Sequence, residues 1–327
     1  TQVSENVVTG AGVGVLVADT ASPAIAANTI ESADIGIQVA GSSTAQVTDN
    51  TVAPSRIAML VSGSATPDVR RNDLSATDVT IQVEQNAAPA VTDNDVAGEG
   101  AGIVVIGAAE PSIVGNRISS GAIGVQTSST SRATVQDNTI NDAAVGVLVN
   151  GESRPSIRGN RIDGADFGLQ SADDAVIDVD GNSIVASGTA AISIAGATTG
   201  TVRANSIAGS PSLGIQVSGA AAVDLLGNTI ADVARTAVSV IGTARGTLSG
   251  NEIDGGEIGI QVGEDAGPEV VGNTVTGTEL YGIWFGGTAA GAARDNEVIE
   301  NDGVGVGLVG AAAPIIDGND LRANGIG

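Results

Sequence analysis

The sequence predicts an all-β solenoid of about 15 stacked coils, each 22–23 residues long, and three observations predict it. Asparagine recurs at a fixed step: Asn6, Asn28, Asn50, Asn72, Asn94, Asn116, Asn138, Asn160, Asn182, Asn205, Asn228, Asn251, Asn273, Asn296 and Asn319. Aliphatic residues keep register with it, two residues after each Asn (Ile30, Ile140, Ile253) and three before (Ile25, Val135, Leu248). Glycine, 47 in all, recurs in every coil, and no window sustains a 3.6-residue apolar stripe, so helix is excluded.

Within a coil the elements follow in order. A first strand surrounds the aliphatic residue that precedes the Asn. Its start is marked by Pro23, Pro67, Pro89, Pro111, Pro155, Pro268 and Pro314, each five residues before an Asn, where a missing N–H is tolerated. Asn then makes the bend, as a residue that tolerates the left-handed conformation and whose amide both donates and accepts. Stacked in register, the amides from Asn28 to Asn296 form a structural ladder. A second strand carries the aliphatic residue after the Asn. The third is an alternating segment such as Ile37 and Val39, Val147 and Val149, or Ile260 and Val262. Three short strands of period two per coil make one rung of a parallel β-helix. In this register Tyr281, Ile283 and Phe285 point inward and Trp284 points out.

A longer period lies over the short one. Gln38, Gln82, Gln126, Gln170, Gln216 and Gln261 alternate, coil by coil, with Leu16, Leu60, Val104, Leu148, Ser193 and Ser239. Duplication of a two-coil unit explains this. It draws a row of outward amides roughly 9–10 Å apart, at a strand spacing of about 4.7–4.9 Å.

One continuous core makes residues 1–327 a single β-helix domain, and the added residue near Ser187–Gly188 reads as a longer turn. The chain starts at Thr1 without an initiator Met and stops at Gly327 inside a new third stripe. The expectation is a segment of a larger exported protein of the periplasm, cell envelope or extracellular space. Open coil edges near Val8 and Leu321 predict end-to-end self-association.

Composition narrows the partners. The formal net charge is −24, with 37 acidic residues, no Lys and no His. A nucleic-acid surface needs a basic stripe, so that class is excluded. Anionic polymers would need a bridging cation, whereas neutral sugars, cations or basic partners suit the charge. There is no Cys for disulfides or thiolate–metal chemistry, and no apolar run long enough for a membrane span.

The repeat Pro111-Ser-Ile-Val-Gly-Asn116-Arg-Ile118, followed by Gly124-Val-Gln, resembles the right-handed parallel β-helix family. Among its members are pectate lyases, polygalacturonases, alginate epimerases and the NosD-type periplasmic proteins, whose short coils are most similar to these. The resemblance implies the right hand of the helix over essentially the whole chain. It does not carry an activity, because the fold hosts lyases, hydrolases, epimerases and passive stalks. The His motif of polygalacturonases is absent. A lyase's calcium-holding acids and proton-accepting base would fall to Asp, Glu and Arg, with no long loops to wall off a site.

No residue is therefore assigned a catalytic or metal-ligating role. Asp173, Asp174, Asp178 and Asp180 form the densest acid cluster. Asp178 and Asp180 flank inward Val179, which makes them a solvated ridge; calcium is the one cofactor such acids leave open. The ligand-binding candidates are Trp284, Gln261 and Gln216: a flat apolar ring for a sugar and amides for its hydroxyls. The reading is a non-catalytic structural or binding module, a rigid spacer whose partner is a polysaccharide or another surface protein. The alternative is a polysaccharide lyase or epimerase. Ice binding would need a Thr-x-Thr ladder that the chain lacks.

Overall fold

The computed structural model describes residues 1–31 and 33–327, in two units, Thr1–Ile162 and Asp163–Gly327. Both are built from short parallel strands, and the described residues contain no helix. In each unit three sheets run alongside one another, every coil giving one strand to each. The first sheet takes segments such as Ala24–Ala26 and Gln46–Thr48, paired in parallel with Ile25 beside Val47. The second takes Thr29–Glu31 and the third Ile35–Val39. Third-sheet strands run from Val13–Val17 to Val145–Val149 in the first unit and from Phe167–Ser171 to Val304–Leu308 in the second. That is seven complete coils per unit, close to the expected number. In the coils of Thr51–Val61 and Asp73–Val83, second and third strands merge into one.

The aliphatic columns fill the interior. Ile25, Ile30, Ile37 and Val39 are wholly buried in one coil, and Leu248, Ile253, Ile260 and Val262 are equally enclosed in another. Each such side chain contributes about 1.5–3 kcal/mol over leaving it in water. One inward position admits little bulk. A Cβ on Gly36 would strike Val52 Cγ1 at 2.5 Å and Ala58 O at 2.6 Å, and one on Gly124 would strike Ile140 Cγ2 at 2.5 Å. The third strand thus begins with a corner at which a small residue and its successor both face inward.

The ladder forms as expected. Asn50 Nδ2 donates to Ile25 O at 2.9 Å, to Thr48 O at 3.0 Å and to Asn72 Oδ1 at 2.9 Å. Asn228 does the same work in the second unit, donating to Val202 O and Asn251 Oδ1, both at 2.9 Å. From Asn28 to Asn160, and from Asn182 to Asn296, these residues are at most 2% exposed.

The bend itself differs from the sequence expectation. The left-handed residue is the one before the Asn: φ is 55° at Ala27, 57° at Asp49, 53° at Arg71, 53° at Ala204 and 59° at Gly227. No ladder Asn has positive φ. The flip turns two successive N–H groups toward the following coil, so Ala27 N donates to Thr48 O at 3.2 Å and Asn28 N to Asn50 Oδ1 at 3.0 Å. The Asn side chain receives the bend rather than making it.

The change of repeat length is a matter of one corner. Three residues separate second strand Arg161–Asp163 from third strand Phe167–Ser171, whereas four separate Ser183–Val185 from Ala190–Ile194. The extra residue lies in the turn containing Ser187 and Gly188, as expected.

Candidate functional site

The outer side of the third sheet separates itself from the rest of the surface by what it lacks. Two side-chain columns face out there. The inner of the two rows is the alternating one: Leu16, Gln38, Leu60, Gln82, Val104, Gln126 and Leu148 sit side by side in the first unit. Gln170, Ser193, Gln216, Ser239, Gln261, Trp284 and Gly307 do so in the second. The other column comes from the first residue of each strand, half-exposed Ile35, Val79, Ile123 and Val145 in the first unit, then Phe167, Leu213, Ile258 and Tyr281. Neither column contains a charged residue. The outward positions of the other two sheets carry Asp68, Arg70, Asp95 and Arg117 in the first unit and Asp180, Arg203, Glu252 and Glu269 in the second. In a chain of charge −24, each unit thus keeps its third-sheet columns free of charge.

At Tyr281 the structure corrects the sequence register. Its neighbour Gly282 occupies the inward slot, where a Cβ would meet Val298 Cγ1, and Ile283 and Phe285 are fully buried. Tyr281 is displaced to the outer face. Its ring covers Gly307 of the next coil, where a Cβ would come within 2.6 Å of Tyr281 Cδ1 and Cε1. Trp284 points out as expected. Its six-membered ring lies over Gly286, whose absent Cβ would collide with Cη2, and reaches Gly263, where a Cβ would stand 3.7 Å from Cζ3 and 3.9 Å from Gln261 Nε2. The three glycines let two aromatic rings rest on bare backbone, making a half-buried shelf with an amide at its edge.

Of the residues singled out by sequence, Gln261 and Trp284 are register partners on adjacent strands. Gln216 stands two coils from Gln261, with Ser239, 3% exposed, between them. Tyr281 is the member that period-two counting missed. A hollow lined by Thr1, Val15, Ala21 and Pro23 lies at the first coil, and a shallow groove lined by Thr229, Glu252, Asp254 and Thr276 crosses the second sheet. The shelf belongs to neither. It is an open platform.

Charged side chains elsewhere pair across coils. Arg203 Nη2 reaches Asp180 at 3.0 Å and Asp178 at 3.9 Å, so the acid ridge around Val179 is partly neutralised on its outward side. Arg56 Nε meets Asp34 at 2.6 Å, and that hydrogen bond holds the Asp34 carboxyl below its ordinary range against the opposing effect of desolvation. Arg71 does the same to Asp49. These exposed pairs contribute little net stability. Among the described residues no group of three or more Asp, Glu, His or Cys converges as a metal would require.

Comparisons with known proteins bear on this geometry. The family profile described as periplasmic copper-binding protein (NosD) matches residues 36–191 and 68–231. The profile described as right handed beta helix region matches residues 190–327. Among solved structures, the periplasmic alginate epimerase AlgG is similar, with 13% identity, a TM-score of 0.53, and coverage of 83% of this chain and 77% of that one. A mutant of the same epimerase gives 13% identity, a TM-score of 0.53, and coverage of 83% and 78%. Likeness at that identity is a likeness of fold. No curated protein matches the sequence.

Proposed function

The chain belongs to the family of right-handed β-helix proteins described as periplasmic copper-binding protein (NosD), and from that premise we propose that it is a non-catalytic binding module of the cell envelope whose neutral third face receives a neutral glycan. The observation that carries this reading is the aromatic shelf of Tyr281 and Trp284, set beside Gln261 on the face without charge. A sugar ring offers apolar C–H edges to an aromatic surface and hydroxyls to an amide, and it asks for no ion pair. An anionic polymer would meet a surface of like sign. A periplasmic location follows the family's description, and the similar epimerase is periplasmic too. The non-catalytic part of the proposal rests on the openness of the shelf, since catalysis needs charged groups preorganised in a largely dry pocket.

The test is a fluorescence titration. Trp284 is the only Trp, so its emission reports the shelf alone. Neutral oligosaccharides should change it with a dissociation constant in the high micromolar to millimolar range, about −4 to −6 kcal/mol. Isothermal titration of Trp284→Ala should show no heat of binding. A silent response across a broad panel of neutral oligosaccharides would leave the chain as a spacer.

A further inference from the structure

We infer that these coils, although they belong to a family described as copper-binding, hold no copper of their own. Copper is drawn to thiolate, thioether and imidazole donors. The chain has no Cys and no His, and its single Met is Met59. That sulfur is out of reach: Met59 is 0% exposed, on a third-sheet strand between Ile37 and Ile81, both also fully buried. A fully buried thioether flanked by isoleucine on both adjacent strands is closed to a copper ion from solvent.

Oxygen donors do not replace it. Among the described residues no three carboxylates converge, and Asp34, Asp49 and Asp180 are already held by Arg56, Arg71 and Arg203. The fold is not the obstacle. Parallel strands place equivalent outward side chains of successive coils about 4.7–4.9 Å apart, close enough for two imidazoles to share one ion. Thr29 and Thr51 are such a pair on the outer side of the second sheet. The scaffold offers copper-compatible positions, and this sequence puts no copper donor in them.

The experiment loads the 327-residue chain with Cu(II), and separately with Cu(I) under reducing conditions, then desalts it and measures bound metal by atomic emission. The double variant Thr29→His, Thr51→His is carried in parallel, its Cu(II) read by electron paramagnetic resonance. The expected result is copper retained by the double variant, with nitrogen hyperfine structure, and none by the unaltered chain, whose melting temperature does not rise with copper. One equivalent of copper surviving on the unaltered chain overturns the inference. So does a copper-dependent rise in its melting temperature that Met59→Leu removes.

Discussion

The third faces of the two units share a backbone and a register but carry different side chains. In the first unit the alternating row is Leu or Val against Gln; in the second it is Ser against Gln, ending in Trp284 and Gly307. The ladder beneath them is the same in both. Asn116 donates to Asn138 Oδ1 at 3.0 Å, and Asn205 to Asn228 Oδ1 at 3.0 Å. The difference teaches that folding and recognition occupy separate columns of one repeat. The ladder and the inward aliphatics repeat from coil to coil, while the outward row alternates aliphatic residues with Gln in one unit and ends in an aromatic shelf in the other.

Removing a ladder amide should have the largest effect and should not distinguish the units. Asn138→Ala strands the buried Asn116 backbone N–H, removes one of the three acceptors of the Asn116 side chain and takes the Asn138 amide donor from Ile113 O. Several unsatisfied buried groups together cost about 3–5 kcal/mol. Urea unfolding should give a similar loss for Asn228→Ala in the second unit. Gln126→Ala on the outer face should change stability by less than about 0.5 kcal/mol. A ladder variant no worse than Gln126→Ala would break the separation of columns.

The next effect belongs to the second unit alone. Gly286→Ala adds a methyl where the indole of Trp284 rests, on backbone of ordinary φ, so the ring must lift into solvent. Emission should shift to the red and the oligosaccharide response should be lost while Trp284 itself remains. The stability loss should stay at about 1 kcal/mol, because a half-buried ring on the surface can yield where a packed core cannot. The same substitution with unchanged emission would mean that the shelf is not held by that glycine.

The smallest effect is a gain. Ala27 and Ala204 occupy left-handed backbone at φ 55° and 53°, a conformation disfavoured for any residue with a Cβ. Ala27→Gly and Ala204→Gly should each stabilise by about 0.5–1 kcal/mol, after the greater freedom of glycine in the unfolded chain is deducted. Thermal melts of the two variants should move up together. A shift in one unit only would show that the bends are not equivalent.

The fold was legible because its determinants repeat. Asparagines at a step of 22–23 and two aliphatic columns locate the strands and the buried ladder without reference to structure. The bend was less legible. Its left-handed position holds Gly or Asp in most coils, residues that suit positive φ, but Glu5, Ala27, Arg71 and Ala204 in the others, so composition marks it only in part. The site was half legible: Trp284 stands out as the only Trp, and Gln261 by its period. Strict alternation places Tyr281 inside, but at Gly282 the strand turns a corner and two successive residues face inward, which puts Tyr281 outside. The neutrality of the face is hidden in the sequence for the same reason, since strict alternation places one of its two columns in the interior.

The ladder also has a direction. One side-chain N–H of each ladder Asn donates to the coil that follows and its Oδ1 accepts from the coil before, as Asn28, Asn50 and Asn72 show in sequence. Peptide groups in the flanking strands point alternately up and down, but these amide dipoles align head to tail like the peptides of a helix. Neighbours in such a chain polarise one another. The array can therefore gain or lose whole coils without reversing a single bond, and cannot admit a coil read backwards. The polarity of the amide column makes lengthening by tandem copying the change this protein accommodates most readily.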